Sequence, residues 1–387
     1  MTQPVTRSVK HPMRSIPNYS LPANASADEM RAMAVQAFRD ALSVEWFLTE
    51  SATYGIKTGE KATLDPGENL AGIPYTNATT GLLTFLQYYD FETGKLSGFP
   101  DPINTMIGNS CASGSSWGWS AVCASTKCLY TYTMTPVNHC LPVGLNVDPT
   151  LETYKDYPTD KIIADNGIPA LFRAYTLAKP ADILVAYVDA ATAHARMIAE
   201  APHVEYKADG SIDPENSYIF IQDQHKGQFG PKQAFIFEED GQTLHYSGHL
   251  RQMQTFAALL DKGYIPITTP EFAGIVPYTV PTASAEYEGS VETLRDLSKI
   301  FVTSPYRIVA VTVRVLGGER ELLSGKAVLS PQTVKDGTTH RFPLSGEILG
   351  AKAEEPLTKG QTYTLKIEAL IASGTTHEVF SGPVRSE

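Results

Sequence analysis

Cysteine, histidine and polar side chains occur along the chain in an order that suits acyl transfer. Cys111 lies in a segment of small residues, GNSCASGSSWGWSAV, which begins at Gly108. A cysteine at the start of a helix meets the positive end of the helix dipole and several free N–H groups, and both lower the pKa of its thiol. Asn109 or Ser110 is suited to cap a helix that begins near Cys111. The segment therefore favours Cys111 as a nucleophile.

A thiol nucleophile also needs a base and a group that orients the base. His194 opens a strand-like segment, HARMI, and is the histidine best placed to take the thiol proton. A later strand-like segment ends in Gln222, Asp223 and Gln224, and each of these could orient the imidazole. If the two segments are neighbouring antiparallel strands, the sequence predicts a Cys–His–polar triad whose third member is one of these three residues.

Other residues offer alternative sites. His139 adjoins Cys140 and forms a second candidate dyad, although no helix start is evident there. His225 directly follows the polar stretch and could itself be the third member of the triad. His245 and His249 have the i,i+4 spacing of two metal ligands on a helix, but the residues between them predict a turn. We therefore expect neither a metal nor a cofactor.

The four cysteines lie between positions 111 and 140: Cys111, Cys123, Cys128 and Cys140. An even, clustered set allows two disulfides in an exported protein. A zinc site is less favoured because no CxxC pair is present. Cys123 and Cys128 lie among apolar and small residues, which is typical of buried thiols.

Length and charge narrow the classes of partner. A chain of 387 residues is long enough for two domains. A net charge of −11 without a basic cluster argues against nucleic acid as a partner. No apolar run is long enough to predict a transmembrane helix, and residues 1–25 lack the apolar segment of a signal peptide.

Hydrophobic periodicity indicates the elements that must position these side chains. Ser26 and Glu29 predict a capping box at the start of an amphipathic helix. Further helices are predicted at residues 79–89, from Cys111 to about Thr126, and at residues 249–262. Consecutive antiparallel strands are predicted at residues 183–188, 194–201, 203–209, 217–224, 233–240 and 242–248, with Asp-Gly turns at 209–210 and 240–241.

The sequence pattern changes after Pro270. Prolines interrupt the following segment, and short β-like runs then occur at residues 306–316, 321–329, 338–343, 362–372 and 377–380. Such spacing is typical of an immunoglobulin-like β-sandwich. We therefore predict an N-terminal arm (1–25), a first domain (26–270) that carries the candidate site, and a C-terminal β-sandwich domain (271–387).

The quoted segments resemble those of the NlpC-type cell-wall cysteine peptidases. GIPY (residues 72–75) precedes NSCASG here, as a PY segment precedes Asp-Cys-Ser-Gly in that family. ADILV (residues 181–185) precedes AHARMI, as a GDIL strand precedes the family's catalytic histidine. The resemblance implies an α+β, papain-like fold with Cys111 as nucleophile and His194 as base. The third position falls on Gln222, Asp223 or Gln224.

The resemblance also implies substrate contacts and a setting. Tyr75 corresponds to the tyrosine that lines the family's site, and Ser113 and Trp117 are the further candidates for contact with substrate. The implied substrate is an amide or peptide bond in the stem peptides of peptidoglycan, and the implied location is extracellular or at the cell surface. The sequence departs from the family where Ser110 replaces an aspartate and Ala181 a glycine, and where one extra residue follows the cysteine.

Two other functions share these residues. A non-catalytic surface protein could use a degenerate papain-like domain for binding, with Cys111 held in a disulfide. A transglutaminase-like enzyme would use the same cysteine and histidine, with an amine in place of water as the acyl acceptor.

Overall fold

The structure, a computed structural model, describes residues 8–57, 60–77, 79–96, 107–126, 130–224, 235–239, 242–246, 248–330, 333, 339–350 and 357–386. It contains both helices and strands, as the predicted α+β class requires. Contacts divide the chain into one unit of Met1–Ile16 and Ala23–Tyr278 and another of Pro17–Pro22 and Thr279–Glu387. No helix in the described ranges is both long and apolar enough to cross a membrane.

The two units can be compared with the predicted domains. The division after Tyr278 lies slightly later than the predicted boundary at residue 270. The predicted N-terminal arm is shared between the units, because residues 17–22 belong to the second unit. In the first unit, the Val9 N–H donates to the Thr93 carbonyl at 2.9 Å and the His11 N–H donates to the Glu45 carboxylate at 2.9 Å. These hydrogen bonds fix the described beginning of the chain against the first unit.

The secondary structure of the first unit surrounds one large sheet. The α-helices among its described residues are α1 (Ala27–Ser43), α2 (Leu82–Phe85), α3 (Cys111–Ser120), α4 (Thr159–Asn166), α5 (Ile168–Leu177) and α6 (Phe256–Asp261). The strands are β1 (Glu45–Trp46), β2 (Ala52–Lys57), β3 (Glu60–Leu64), β4 (Leu70–Ala71), β5 (Leu141–Pro142), β6 (Ile183–Ala186), β7 (His194–Ile198), β8 (Tyr218–Gln224), β9 (Phe235–Glu239), β10 (Gln242–Tyr246), β11 (Gly248–Thr255) and β12 (Ile265–Thr268).

The large sheet has six antiparallel strands in the order β11–β8–β7–β6–β12–β5. Strands β6, β7 and β8 match three of the strands predicted from sequence, and they are neighbours in the sheet. The remaining strands form a four-stranded sheet, β1–β4–β10–β9, and the hairpin β2–β3. Because β7 and β8 are antiparallel neighbours, the first residues of β7 and the last residues of β8 lie at the same end of the two strands.

Two predictions for this region are wrong. Residues 203–209 do not form a strand: His203 and Tyr206 make isolated bridges, and the Lys207 N–H closes a turn onto the Ser211 carbonyl. Residues 249–262 do not form one helix, because Gly248–Thr255 is a strand and only Phe256–Asp261 is helical. Backbone pairing with β8 outweighs the helical spacing of the apolar residues in this segment.

The lengths of other elements also differ from expectation. In place of a helix at residues 79–89, the short α2 continues into a single 3₁₀ turn, Leu86–Tyr88. Helix α3 begins at Cys111 as predicted but ends at Ser120, earlier than expected. Helices α4 and α5 are not predicted from the sequence. The predicted turn at residues 240–241 lies outside the described residues.

Helix α1 begins at the predicted capping box. The Ser26 hydroxyl accepts a hydrogen bond from the Glu29 N–H at 3.3 Å, and the Glu29 carboxylate accepts one from the Ser26 N–H at 2.8 Å. The apolar face of the helix, which includes Ala34 and Phe38, is fully buried. The periodicity of the sequence therefore identifies this helix and its buried face correctly.

Two glycines bring α3 close to α1 and to the sheet. A Cβ atom on Gly118 would lie 2.7 Å from the Ala34 carbonyl oxygen and 2.7 Å from the Met197 Cε. A Cβ atom on Gly114 would lie 2.9 Å from the Phe38 ring. Since neither position has room for a side chain, glycine is needed at both if α3 is to pack this closely.

A buried ion pair connects α1 to the sheet. The Arg31 guanidinium donates to the Asp182 carboxylate at 2.7 Å and to the Pro180 carbonyl at 2.8 Å. It also donates to the Thr268 hydroxyl at 3.1 Å and lies over the Phe272 ring. Burial raises the pKa of the Asp182 carboxyl, and the charge of Arg31 opposes that rise. Asp182 thus has a structural partner and is not available for chemistry.

Ala181, just before β6, adopts the left-handed region with φ of 69°. This conformation is unfavourable for a residue with a Cβ atom. Two strong contacts hold the residue there: the Trp119 indole N–H donates to its carbonyl at 2.6 Å, and its own N–H donates to the Ile198 carbonyl at 2.8 Å. The turn into β6 is therefore fixed by α3 and β7.

The second unit contains two antiparallel sheets, β13–β14–β17 and β16–β15–β18–β19. Its described strands are β13 (Ser284–Tyr287), β14 (Ile300–Thr303), β15 (Ile308–Gly317), β16 (Arg320–Val328), β17 (Arg341–Pro343), β18 (Thr362–Ile371) and β19 (Thr376–Arg385). The last five overlap the five runs predicted from sequence, whereas β13 and β14 are not predicted. The immunoglobulin-like arrangement itself remains a prediction.

Replacing Gly118 by alanine separates helix propensity from packing. In a helix, alanine is favoured over glycine by about 1 kcal/mol. The added Cβ atom would nevertheless meet the backbone of α1, so we expect Gly118→Ala to destabilise the first unit by about 1–3 kcal/mol. Calorimetric or denaturant unfolding measures the change. Gly346→Ala, where a Cβ atom meets nothing within 4 Å, is the control, and an unchanged or raised stability of Gly118→Ala would contradict the close packing.

Candidate active site

The Cys111 thiol lies at the first residue of α3. Ser110 caps this helix: the Ser113 N–H donates to the Ser110 hydroxyl, and the Ser110 N–H donates to the Ser113 hydroxyl at 2.8 Å. The residue before the cap pairs with the GIPY segment, since the Asn109 N–H donates to the Pro74 carbonyl at 3.1 Å. Helix start and GIPY segment are thus held together directly beside the thiol.

His194 is the first residue of β7, and its imidazole is hydrogen-bonded to the Cys111 thiol. Its Nε2 lies 3.1 Å from the Asp223 Oδ2. An ionised carboxylate only accepts hydrogen bonds, so Nε2 carries a proton and donates a hydrogen bond to Asp223. Nδ1 is then the ring nitrogen left for the thiol. The structure therefore places the predicted nucleophile, the predicted base and one of three predicted orienting residues in one chain of contacts.

The Asp223 side chain lies on one face of β8, and the side chains of Gln222 and Gln224 lie on the other. Asp223 is fully buried and contacts His194. The Gln224 amide instead donates to the Ile73 carbonyl at 2.8 Å, which fixes the GIPY segment. The Gln222 amide, in its hydrogen-bonding orientation, faces the Val35 carbonyl of α1. Of the three candidates, Asp223 is the one in contact with the imidazole, because side chains alternate along a strand.

The charges of the site stabilise a thiolate and an imidazolium together. Burial raises the pKa of the Cys111 thiol, but the nearby charge of His194 and hydrogen bonds outweigh it and lower the pKa to about 7. Burial lowers the pKa of His194, but Cys111 and Asp223 outweigh it and raise that pKa to about 9. Burial also raises the pKa of the Asp223 carboxyl, yet His194, His249 and Arg196 hold it well below its usual range. Between about pH 7 and 9 the ion pair is the dominant form.

Two further groups contact the sulfur. The Ala195 N–H and the Tyr75 side chain both form hydrogen bonds with Cys111, and both help to lower the pKa of its thiol. Tyr75 is half-buried and makes a bridge with Asn109. The tyrosine predicted to line the site therefore lies at the thiol itself.

The other predicted site residues lie elsewhere. Ser113 and Trp117 are fully buried, Ser113 in the capping box of α3 and Trp117 against Gly81, so neither presents a surface to a substrate. Cys140, of the alternative dyad, is a buried free thiol whose pKa is raised by burial. His139, beside it, ends a 3₁₀ turn in a left-handed conformation. His225 lies outside the described residues.

The cysteines in the described part of the chain are not paired. Cys111, Cys123 and Cys140 are all free and buried. Cys128 lies outside the described residues. Among the described side chains, no group of three histidine, cysteine or acidic residues is arranged to hold a metal ion.

His249 is a site residue that the sequence analysis did not assign. It lies on β11 directly opposite Asp223, and its Nδ1 is 2.6 Å from the Asp223 Oδ1. The i,i+4 spacing with His245 has no meaning here, since the two histidines lie on different strands. Reading residues 248–255 as a strand next to the QDQ stretch is the signal that would have identified His249.

Comparison with known proteins leaves the site to be interpreted from its geometry. No protein-family model matches the chain, and no curated protein matches it. The assignment of function therefore depends on Cys111, His194 and Asp223 and on the groups that surround them.

We expect iodoacetamide to modify Cys111 before the other described cysteines. Its alkylation rate should rise with pH around a midpoint of about 7, because the thiolate is the reactive form. Cys123 and Cys140 are internal controls, since burial raises the pKa of both thiols. Peptide mass spectrometry locates the adducts and gives each rate. A midpoint near the ordinary cysteine value of about 8.5 would contradict the thiolate–imidazolium pair.

Proposed function

We propose that this protein is a cysteine hydrolase that cleaves an amide or peptide bond. The observation that carries the proposal is the chain of contacts from the Cys111 thiol through His194 to the buried Asp223. A nucleophile, a base in hydrogen-bonding contact with it, and a group that orients the base are the minimum requirements of covalent acyl transfer. The pKa of about 7 for the thiol supplies a reactive thiolate at neutral pH.

The first half of the reaction forms an acyl-enzyme. The Cys111 thiolate attacks the carbonyl carbon and forms a C–S bond, while the carbonyl oxygen takes the electron pair. The N–H of Cys111, at the first position of α3, has no partner within the helix and can donate to this oxyanion together with the Tyr75 hydroxyl. The His194 imidazolium then gives its Nδ1 proton to the leaving amine as the C–N bond breaks.

The second half releases the product. A water molecule gives a proton to the His194 Nδ1 and attacks the thioester carbon. The C–S bond breaks, the carboxylic acid leaves, and the cysteine and histidine return to their starting ion pair. Asp223 keeps its hydrogen bond to Nε2 throughout, so the ring does not turn between its role as acid and its role as base.

We further propose a papain-like fold and an NlpC-type cell-wall peptidase function. Three features support this: the order of the cysteine helix and the antiparallel strands with histidine and aspartate, the position of Tyr75 at the thiol, and the left-handed φ of Ala181. That last conformation favours glycine, which is the residue at this position of the family's GDIL segment. On this proposal, the substrate is a stem peptide of peptidoglycan, the location is extracellular or at the cell surface, and the second unit is an immunoglobulin-like β-sandwich.

The alternative of a non-catalytic binding protein is less well supported. The extra residue after Cys111 and the missing aspartate before it favour that alternative, and a disulfide at Cys111 would decide for it. Cys111 is a free thiol, and Ser110, which replaces the aspartate, caps α3 through Ser113. The extra residue after the cysteine is therefore accommodated by an ordinary capping box, and it leaves the thiol beside His194.

Substitutions at the dyad test the proposal directly. With synthetic stem peptides or soluble peptidoglycan fragments, we expect Cys111→Ala to abolish the release of new amino groups. His194→Gln should lower kcat by about 10²–10⁴, the usual contribution of a general acid–base. Cys140→Ala, which removes a buried free thiol away from the site, should leave the rate within experimental error. Mass spectrometry identifies the bond cleaved. If the wild type cleaves no peptide, or Cys111→Ala cleaves as fast, the proposal fails.

The pH dependence of hydrolysis should be bell-shaped. The value of kcat/KM should rise through about pH 7 as Cys111 ionises and fall through about pH 9 as His194 loses the proton that the leaving amine needs. Because Asp223 raises the pKa of His194, Asp223→Asn should move the alkaline limb to lower pH. Asp189→Asn, an exposed loop aspartate between β6 and β7, is the control. An alkaline limb unchanged in Asp223→Asn would contradict the role of Asp223.

A further inference from the structure

The Asp223 carboxylate is shared by two imidazoles. Its Oδ2 accepts from the His194 Nε2 at 3.1 Å, and its Oδ1 lies 2.6 Å from the His249 Nδ1. The carboxylate is fully buried, while the side chains of His194 and His249 are 18 % and 19 % exposed. Since a carboxylate is an acceptor only, the Nδ1 of His249 is its donor. Each oxygen of the buried group is therefore fixed by a different histidine.

The strand that carries His249 is fitted closely to Asp223. Gly248 precedes it, and a Cβ atom at that position would lie 2.0 Å from the Asp223 carbonyl oxygen. The register of β11 against β8 shifts between His249 and Gln252, which marks a β-bulge or similar irregularity next to the histidine. Such bulges redirect side chains and are frequent beside functional sites. Local backbone geometry thus places the imidazole against Oδ1.

Several charged or ionisable groups surround the Asp223 carboxylate besides His249. His194 and Arg196 on β7 and the Tyr264 hydroxyl before β12 face the carboxylate, and Cys111 on α3 contacts His194; the Arg196 Nε is 3.4 Å from Oδ2. Burial raises the pKa of Tyr264, so that hydroxyl stays neutral. The thiolate and the carboxylate carry two negative charges, and the imidazolium and the guanidinium carry two positive charges. His194 and Arg196 both lie at Oδ2, and His249 supplies the donor at Oδ1.

We propose that His249 is a positioning residue for the cysteine–histidine pair, acting through Asp223. By donating to Oδ1, it keeps the carboxylate ionised and turned so that Oδ2 faces the His194 Nε2. His194 then stays protonated and correctly oriented beside the Cys111 sulfur. This deepens the proposed function, on which it rests. It also gives β11 a role in the site, because the donor to Oδ1 comes from that strand.

The test is the pH profile of Cys111 alkylation by iodoacetamide in the full-length protein. His249→Leu removes the donor, so Asp223 holds His194 less firmly and the pKa of the thiol rises. We expect the alkylation rate at pH 6.5 to fall about tenfold, the size of a one-unit shift in that pKa. His249→Asn keeps an N–H donor in place of Nδ1 and cannot ionise, so it should stay within about threefold of the wild type. A purely structural role would lower thermal stability without moving this profile.

The control is His203→Asn. His203 is also paired with a carboxylate, since its Nε2 lies 2.8 Å from the Glu205 Oε1, but this pair is on the exposed surface. Loss of the His203–Glu205 pair should leave the pH profile of Cys111 alkylation unchanged. If His249→Leu does not fold, His249→Gln is used in its place. The amide of glutamine is one methylene further from the backbone than that of asparagine, so it is a poorer hydrogen-bond donor to Oδ1 and should also shift the profile.

The outcomes separate this proposal from the hydrolase proposal. A profile of His249→Leu that superimposes on the wild type, or one of His249→Asn that shifts as far as that of His249→Leu, overturns the role of His249. Because alkylation needs no substrate, a shifted profile supports the role of His249 even if no peptide is cleaved. Peptide cleavage with an unshifted profile would leave the hydrolase proposal standing and remove His249 from it.

Discussion

A negative charge buried at Asp223 is the constraint on which the site depends. A carboxylate with no exposed surface is stable only if nearby groups compensate its charge and satisfy its oxygens. Here His194, His249 and Arg196 do so from β7 and β11, the two strands that flank β8. The same charge keeps a proton on His194, and the protonated imidazole in turn favours the thiolate of Cys111. Removing one partner from such a buried pair typically costs about 3–5 kcal/mol, so stability and chemistry are linked at this residue.

The surrounding elements hold the two halves of the site in place. One half, the cysteine, comes from a helix that can approach the sheet because it has glycine at positions 114 and 118. The other half, the histidine and aspartate, comes from paired strands whose register is fixed by backbone hydrogen bonds. Gln224 then connects the strand to the GIPY segment, which carries Tyr75 to the sulfur. The contact between Cys111 and His194 thus depends on how closely α3 packs against α1 and the sheet.

Residue type and order were enough to select Cys111, His194 and the Gln222–Gln224 stretch as candidates, and the structure brings Cys111, His194 and Asp223 into contact. Cys111 lies at a helix start that the small polar residues around it predict, and His194 is the first residue of a strand with an apolar core. The choice among the three polar residues could not be predicted, because it depends on which face of β8 meets β7. That face becomes known only when the register is known. His249 was missed for a related reason: residues 248–255 have helical spacing, and only pairing with β8 makes them a strand.

The alternation of three adjacent residues on β8 has a consequence for how this protein can change during evolution. Gln222 faces α1, Asp223 faces the two histidines, and Gln224 faces the GIPY segment. An insertion or deletion of one residue in β8 would exchange its two faces. An amide would then lie beside His194, His249 and Arg196, and the carboxylate would lie against backbone carbonyls that now accept hydrogen bonds from the two glutamines. Point substitutions can therefore alter this strand gradually, whereas a change of length would disrupt its two interfaces in a single step. Related sequences should then show variation of residue type at positions 222 and 224 with no variation in the length of the strand.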